Sequence, residues 1–321
     1  MSARPTPRQD PSGRPRIVVL GSANMDLVAY AKVAPALGET VTGESFRTVA
    51  GGKGANQAVA AARAGGAVTM AGAVGDDAFG ARLRAVLAEA GVDTGRLRTT
   101  GTPTGTAHIV VDGEGRNAIV VVPGANGTVT GLAEGDEAAI AAAGTLLLQL
   151  EVPLAGVLAG ARAAREHGVR TVLTPAPAQP LPDELLARVD LLVPNEHEAA
   201  ALAGVEDPRA AARALLDLVP EVVVTMGARG SLYLGRGLEP LVVPARPARA
   251  KDTTAAGDTF VGALAVALGE GRPMPDALAW ATAAAALSVE REGASSSMPG
   301  RAAIDERAGA PLHTAAPPPT P

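Results

Sequence analysis

The second half of the chain constrains the fold most, because short apolar runs alternate there with helical segments in a regular order. These runs and segments lie at residues 146–150, 154–167, 169–173, 191–193, 207–218 and 222–224. Strands joined by helical crossovers predict an α/β fold in three layers, with a mostly parallel central sheet covered by helices on both faces. Two further helices, at about 257–268 and 275–291, are predicted to close the domain.

The first half of the chain predicts a second, smaller sheet. Residues 16–20 (R-I-V-V-L) and 68–74 are typical of strands in the main sheet. More polar strand-like segments lie at 27–33, 40–49, 105–111 and 117–122, and the last two flank D-G-E-G-R, a hairpin signal. We expect these four segments, from about 25–50 and 105–123, to lie outside the main sheet.

The composition narrows the functional class. The 321 residues are 47% hydrophobic, carry a net charge of −5 with scattered basic residues, and include 2% aromatics, which argues against a nucleic-acid surface. The chain has no cysteine, so it uses no thiolate chemistry, and a reducing compartment suits it. Residues 1–15 lack the apolar core of a signal peptide, and no apolar run is long enough to span a membrane, so a soluble cytoplasmic protein is expected.

Residues 1–15 and 309–321 are Pro-rich and predicted to be disordered tails around a domain at 16–308.

A turn with the sequence K-D-T-T-A-A-G-D-T-F at residues 251–260 precedes one predicted helix. Ala255, Ala256 and Gly257 are small, and their N–H groups would fall in the first helical turn, where free donors and the helix dipole suit a phosphate. Asp258 would stay ionised among these donors and is placed to take a proton from an attacking hydroxyl. The alternative is that Asp258 only caps the helix.

A glycine-rich turn, A-G-G-K-G-A-N-Q at residues 50–57, opens another helix. The turn does not match a Walker A loop, because that motif has glycine where Arg47 stands and Ser or Thr where Gly54 stands. Gln57 likewise breaks the dinucleotide fingerprint. Lys53 and Asn56 would hydrogen-bond hydroxyl groups of a ligand, or the turn is a plain helix start with a solvated lysine.

Polar residues at the ends of other predicted strands suggest a polyhydroxylated ligand. Asn24 and Asp26 follow the first strand, and Glu151 follows the run L-L-L-Q-L, so these side chains and Asn56 are expected at one edge of the sheet. Taken alone, Glu151 is better interpreted as a solvated residue at a helix start before Pro153.

Two further segments point to a nucleotide. Asn195 and Glu198 have the spacing of a capping box, and they would alternatively hold a Mg²⁺–phosphate assembly through water. The small-residue turn T-M-G-A-R-G at residues 225–230 follows a predicted strand and would carry nucleotide phosphates.

Taken together, these motifs resemble the ribokinase branch of the phosphofructokinase-B family of sugar kinases, from about residue 16 to 300. The motifs that carry the resemblance are G-S-A-N-M-D at 21–26, P-A-L-G-E-T at 35–40, A-G-G-K-G-A-N-Q-A at 50–58, P-A-P-A at 175–178, P-N-E-H-E-A at 194–199 and D-T-T-A-A-G-D-T-F at 252–260. The resemblance implies ATP-dependent phosphorylation of D-ribose at its 5-hydroxyl. Asp258 would be the catalytic base, and the backbone of Ala255, Ala256 and Gly257 would form an anion hole for the γ-phosphoryl group.

The resemblance also implies the ligand contacts. The sugar would be held by Asn24, Asp26, Gly52, Lys53, Gly54, Asn56, Glu151 and Asp258. The ATP site would be lined by Asn195, Thr225, Met226, Gly227, Ala228, Arg229, Gly230, Gly257, Asp258 and Thr282. Mg²⁺ would accompany ATP near Glu198, through water, and a monovalent cation, K⁺, would sit beside the anion hole at Asp252, Thr254, Ser288, Arg291, Gly293 and Ser297. The small sheet would be a lid over the sugar and form a homodimer.

There are three alternatives to the phosphorylation of ribose. The nearest is the same chemistry on another pentose, on deoxyribose or on a nucleoside. A sugar-binding regulator without catalysis is disfavoured, because Asp258 and Gly257 are both intact. A nicotinamide dehydrogenase is disfavoured by the missing dinucleotide fingerprint.

Overall fold

The computed structural model describes residues 8–309. The strands are, in chain order, β1 (Arg16–Leu20), β2 (Asn24–Tyr30), β3 (Ser45–Gly51), β4 (Ala67–Gly75), β5 (Asp93–Thr100), β6 (Gly105–Val111), β7 (Asn117–Val122), β8 (Thr145–Leu148), β9 (Arg170–Leu173), β10 (Leu191–Leu192), β11 (Glu221–Thr225), β12 (Ser231–Gly235) and β13 (Leu241–Val243). The helices are α1 (Lys53–Arg63), α2 (Ala78–Glu89), α3 (Asp136–Ala142), α4 (Leu154–Glu166), α5 (Asp183–Leu186), α6 (Glu196–Ala203), α7 (Pro208–Leu215), α8 (Ala256–Gly269), α9 (Met274–Ser288) and α10 (Arg301–Gly309).

The main sheet has nine strands in the order β13-β12-β11-β10-β9-β8-β1-β4-β5. All neighbours from β11 to β5 run parallel, and β12 runs antiparallel to both β11 and β13. The predicted mostly parallel sheet is therefore confirmed. The elements predicted from the sequence do not include β5, β12 or α10.

Two apolar cores lie on the two faces of the main sheet, as the alternation along β1 illustrates. Ile17 and Val19 pack in one core with residues of α1, α2, α8, α9 and α10. Val18 and Leu20 pack in the other with residues of α3 to α7. Because successive side chains of a strand point to opposite faces, a strand that is apolar throughout requires this cover on both sides. The predicted three layers are confirmed.

The small sheet has four strands in the order β3-β2-β6-β7. β6 and β7 form the predicted antiparallel hairpin, and β2 pairs parallel with β6. β2 begins at Asn24 rather than at the predicted residue 27, and β3 spans Ser45–Gly51 rather than 40–49. Asn24 and Asp26 therefore lie on the first strand of the small sheet, directly after the chain leaves the main one.

Residues 8–15, predicted as part of a disordered tail, instead form a turn against the domain. Gln9 and Pro15 are bridged, and the Asp10 carboxylate accepts hydrogen bonds from the N–H groups of Ser12 and Arg14, both at 2.9 Å. Arg8 donates to the carbonyl oxygen of His167 at 2.7 Å. The remaining tail residues, 1–7 and 310–321, lie outside the described residues. Within residues 8–309, no helix has the length and apolar character needed to cross a membrane.

Candidate active site

Two helix starts and three strand ends meet at one edge of the main sheet. Helix α1 begins at Lys53 and helix α8 at Ala256, while Gly21, Gln149 and Thr174 directly follow the central strands β1, β8 and β9. Open α/β sheets bind their ligands at the carboxyl ends of the strands. The side chains at this edge are therefore the candidates for chemistry.

The amino terminus of α8 has an unusual backbone. Ala255 has φ 58°, the left-handed region, and it is the one non-glycine residue with positive φ among residues 8–309. Such a conformation costs about 1–2 kcal/mol for an L-residue, which marks a functional candidate. A Cβ added to Gly257 would meet nothing within 4 Å, so the space in front of this helical turn is open. The N–H of Ala256 is not free, because it donates to the carbonyl oxygen of Thr253 at 3.2 Å.

Asp258 lies in the first turn of α8 but does not cap it. Ala255 is the N-cap, and no side chain caps the helix. The buried Asp258 carboxylate instead accepts hydrogen bonds from the side-chain amides of Asn56 at 3.2 Å and Gln57 at 3.1 Å. Both donors come from the glycine-rich turn and α1. The capping interpretation of Asp258 is therefore wrong.

Burial raises the pKa of Asp258 to about 6, although the Lys53 charge and the Gln57 and Asn56 hydrogen bonds oppose this shift. Burial, with the charges of Glu151 and Asp258, also raises the pKa of Asp26 to about 7. From the sequence, the surrounding donors are expected to keep Asp258 ionised. In the structure burial outweighs these donors, yet a pKa near 6 leaves the carboxylate mostly ionised at neutral pH. A raised pKa in this range suits a general base.

Lys53 is the cation at the centre of these acids. Burial acts to lower the pKa of Lys53, but the charges of Asp258, Glu151 and Glu198 outweigh it and raise the pKa. Lys53 is thus a charged ammonium among three carboxylates, not a solvated residue of a plain turn. Gly52, which precedes it, has φ 89°, and a Cβ there would lie 2.7 Å from the backbone N of Asn24.

Glu151 ties three segments together at this edge. Its Oε2 accepts hydrogen bonds from the Ser22 hydroxyl at 2.5 Å and from the N–H of Lys53, the first residue of α1, at 2.9 Å. The solvated reading of Glu151 is therefore wrong. Close packing requires glycine at position 54, since a Cβ there would lie 2.6 Å from the backbone N of Ser22.

Asn24 is buried, and its Oδ1 accepts a hydrogen bond from the Asn126 amide at 2.7 Å. Asn126 in turn accepts from the N–H of Ala23 at 2.9 Å. Asn126, which follows β7 in the turn Gly124–Thr128, is not among the predicted site residues. The sequence feature that could have indicated it is a lone amide side chain in a glycine-rich turn directly after a strand.

Two glutamines that are not among the predicted site residues form a hydrogen-bonded chain to Asp258. Gln57 and Gln149 are fully buried and hydrogen-bonded to each other at 2.6 Å, and Gln57 reaches Asp258. Gln149 is the single polar residue in the apolar run L-L-L-Q-L, which is the signal that would have found it.

The predicted nucleotide residues lie mostly at the ends of β10 and β11. Asn195 and Glu198 form the predicted capping box, and Asn195 bridges to Thr225. The turn Gly227–Arg229 follows, with Met226 before it and Gly230 after it. A Cβ on Gly227 would meet nothing within 4 Å, so this turn borders open space. Thr282 is separate, on α9, and its buried hydroxyl has no hydrogen-bond partner among the residues that the structure describes.

The predicted cation residues lie in two loops that Asp252 joins. Its carboxylate accepts from the N–H of Thr254 at 2.9 Å and from the N–H of Gly293 at 2.8 Å. Although burial acts to raise the pKa of Asp252, these hydrogen bonds hold it below its ordinary value. Ser288, Arg291 and Ser297 lie at the end of α9 and in the loop after it. Within the described part of the chain, no three His, Asp or Glu side chains cluster as a metal site.

Comparison with known proteins identifies the class. The model of the pfkB family carbohydrate kinases matches residues 14–301. The chain therefore belongs to the pfkB family of carbohydrate kinases, as the sequence motifs predict.

Individual relatives are more specific. The chain is 42% identical to a ribokinase of Schizosaccharomyces pombe over 306 residues, which cover 90% of this chain and 96% of the relative. It is 36% identical over 293 residues to a deoxyribokinase of Salmonella typhi, with 88% and 95% covered. Its structure matches that of Arabidopsis thaliana ribokinase complexed with ribose and ATP with a TM-score of 0.88 at 35% identity, covering 93% of this chain and all of the other.

Proposed function

We propose that the protein is a ribokinase, which transfers the γ-phosphoryl group of ATP to the 5-hydroxyl of D-ribose and releases ADP. The observation that carries this proposal is the buried Asp258 carboxylate at the open amino terminus of α8, beside the acidic and amide side chains of the sheet edge. The ribokinase relatives favour ribose as the acceptor.

Asp258 is proposed as the base of this reaction. It accepts the proton of the 5-hydroxyl while that oxygen attacks the γ-phosphorus, and the bond from phosphorus to the leaving ADP oxygen breaks. Within residues 8–309, the N–H groups of Ala255 and Gly257 have no hydrogen-bond acceptor outside helix α8, and with the positive end of α8 they are proposed to stabilise the charge on the transferred group. The Ala256 amide is proposed to leave Thr253 for the phosphoryl group.

The sugar is proposed to lie between the small sheet and α1. Its hydroxyls need both acceptors and donors, which this edge supplies in the carboxylates of Asp26 and Glu151, the ammonium of Lys53 and the amides of Asn24 and Asn56. Asp26 has no hydrogen-bond partner within residues 8–309, so its acceptors are free for a ligand. Gly52 lets the backbone approach the sugar.

ATP is proposed to bind along the ends of β10 and β11, at Asn195, at residues 225–230 and at Thr282. Mg²⁺ fits this arrangement, since it binds few protein ligands and keeps its water shell, and one oxygen of Glu198 is free of the capping box. When bound, Mg²⁺ would neutralise phosphate charge.

A monovalent cation, K⁺, is proposed at the loops that Asp252 joins. Oxygen atoms of this set, several of them backbone carbonyls, have the chemistry for a hard cation; the set is Asp252, Thr254, Ser288, Arg291, Gly293 and Ser297. Its role would be to hold the backbone before α8 in place. Equal activity in K⁺, Na⁺ and Tris buffers would contradict it.

A homodimer through the small sheet is proposed as well. β7 is exposed along its whole length, and the exposed fractions of Ile119, Val120, Val121 and Val122 lie between 46% and 64%. An exposed apolar edge strand of this kind favours pairing with a second chain. A cytoplasmic location is proposed from the lack of cysteine.

A sugar panel tests the substrate. Release of ADP is measured with ribose, 2-deoxyribose, other pentoses and nucleosides, and we expect the highest kcat/KM with ribose. The deoxyribokinase relative makes 2-deoxyribose the second candidate. No ADP above background with ribose, alongside turnover of another acceptor, would contradict the proposal.

A further inference from the structure

A chain of buried side-chain amides leads away from Asp258. Gln149 donates from Nε2 to Oε1 of Gln57 at 2.6 Å, and Gln57 donates from Nε2 to Oδ1 of Asp258 at 3.1 Å. Gln57 Nε2 also donates to the Thr174 hydroxyl at 3.2 Å. Gln149 and Thr174 directly follow the adjacent strands β8 and β9, so the chain links the rigid centre of the sheet to α1 and α8.

The chemistry of the groups fixes the direction of these hydrogen bonds. An ionised carboxylate only accepts, so Gln57 must turn its NH₂ towards Asp258 and its carbonyl oxygen away. That buried oxygen then needs a donor, and the NH₂ of Gln149 supplies one. Reversing either amide would set two oxygens against each other in the interior, which is costly.

Two glycines allow close packing around the buried amides of Gln57 and Gln149. A Cβ on Gly21 would lie 2.0 Å from Oε1 of Gln149. A Cβ on Gly262 of α8 would lie 2.6 Å from the Cβ of Ala60 and 2.8 Å from the backbone carbonyl oxygen of Gln57, so α1 and α8 approach closely only because this residue is glycine. Within residues 8–309, Oε1 of Gln149 is buried without a hydrogen-bond partner, a cost that a purely structural glutamine would not explain.

We propose that Gln149 is a positioning residue for the reaction: through Gln57, it holds the Asp258 carboxylate in the orientation that accepts the substrate proton. The inference rests on the proposed role of Asp258 as base. Gln149 touches neither substrate in this account, and it acts only through the amide of Gln57.

The charged groups that face Asp258 stay the same in the neutral variant Gln149→Met. They are Lys53 from α1, Asp26 from β2 and Glu151 from the segment after β8. Gln149→Met removes the donor without changing any charge, and Gln149→Glu keeps the shape but replaces the NH₂ by an oxygen. A shift of the acid limb of the kcat profile in Gln149→Met therefore reports the orientation of Gln57.

The test measures kcat over pH and ribose binding by calorimetry for both Gln149 variants. We expect kcat to fall about tenfold or more, the acid limb to move to higher pH, and the ribose dissociation constant to change less than about threefold. Thr171→Val is the matched control, because Thr171 is a buried polar residue of β9 whose hydroxyl has no partner. We expect its kcat profile to stay unchanged.

A double-mutant cycle completes the test. In the Asp258→Asn background, Gln149→Met should cause no further loss of the residual turnover, because both changes remove the same function. Wild-type kcat and pH dependence in both Gln149 variants would overturn the inference. So would a loss of equal size in the Asp258→Asn background, which would mean a general structural effect. If Asp258→Asn alone keeps full activity, the proposed base fails instead.

Discussion

At Asp258, burial and hydrogen bonding act in opposite directions on the pKa, and burial dominates. The group is therefore a stronger base than an ordinary aspartate while it remains ionised at neutral pH. Because only the ionised form accepts a proton, we expect kcat to fall below about pH 6, by about tenfold for each pH unit. Activity that stays constant from pH 7 to pH 4.5 would contradict Asp258 as the base.

Lys53 offers a second test of how burial and charge together set the pKa of Asp258. Its charge lowers the pKa of Asp258, so Lys53→Met should raise that pKa and move the acid limb of kcat to higher pH, by about one pH unit. The KM for the sugar should rise as well, since Lys53 is proposed to bind it. Lys32→Met is the matched control, because Lys32 is exposed. A limb that moves to lower pH in Lys53→Met would contradict this electrostatic account.

Buried hydroxyls without partners predict a gain in stability. Thr171 is fully buried and its Oγ1 has no hydrogen-bond partner. Thr171→Val keeps the shape and should raise the free energy of unfolding by about 1 kcal/mol, measured by urea denaturation. Thr104→Val is the contrast and should lower it by about 1–3 kcal/mol, because the Thr104 hydroxyl donates to Asp77 and accepts from the N–H of Gly75. A lower stability for Thr171→Val would contradict the assignment.

At the scale of elements, helix α10 depends on a single apolar anchor. Ile304 is its one buried residue, the partly buried Ala308 packs against the same core, and charged side chains surround the neighbouring Trp280. The Trp280 indole donates to Asp305 at 2.8 Å, and the guanidinium of Arg272 lies 4.5 Å from its ring centre.

Ile304→Ala should therefore lower the free energy of unfolding by about 2–4 kcal/mol. Trp280 is the only tryptophan of the chain, so its fluorescence reports this region during denaturation. Glu306→Ala, on the exposed side of the same helix, should change stability by less than about 0.5 kcal/mol. Equal effects of the two substitutions would show that α10 contributes no packing.

The elements that the sequence predicts are those with a simple pattern. β1 and β11 are apolar runs buried on both faces, and β6 and β7 flank a strong turn signal. β5 is missed because D-T-G-R-L-R-T-T buries only Leu97, and its pairing with β4 rather than its composition makes it a strand. α10 is missed because its single buried residue leaves no helical periodicity.

At the scale of the whole molecule, the candidate site combines residues that are far apart in the chain. Asp258 is bonded to Asn56 and Gln57, some 200 positions away, and Glu151 to Ser22. Motifs predict which residues cluster, since most of them follow strands at one edge of a parallel sheet. Sequence features mark Gln149 and Asn126 as unusual polar residues, but the groups to which Gln57, Gln149 and Asn126 are hydrogen-bonded follow only from the three-dimensional packing.

The exposed small sheet gives a prediction about assembly. Val120→Lys on β7 should convert the proposed dimer into monomers, as measured by sedimentation velocity, because a charge would be buried in the apolar interface. Val242→Lys, at a half-exposed position of β13, should leave the dimer intact. A dimer that survives Val120→Lys with unchanged affinity would place the interface elsewhere.

The central claim is that the Asp258 carboxylate takes the proton of a ribose hydroxyl as ATP delivers its phosphoryl group. The most direct measurement compares ribose 5-phosphate formation and calorimetric ribose binding in the wild-type protein and in Asp258→Asn, with Asp136→Asn, a buried aspartate of α3, as control. We expect turnover in Asp258→Asn to fall by about three orders of magnitude or more, with ribose still bound and the control active. Turnover within about tenfold of wild type in Asp258→Asn would contradict the claim.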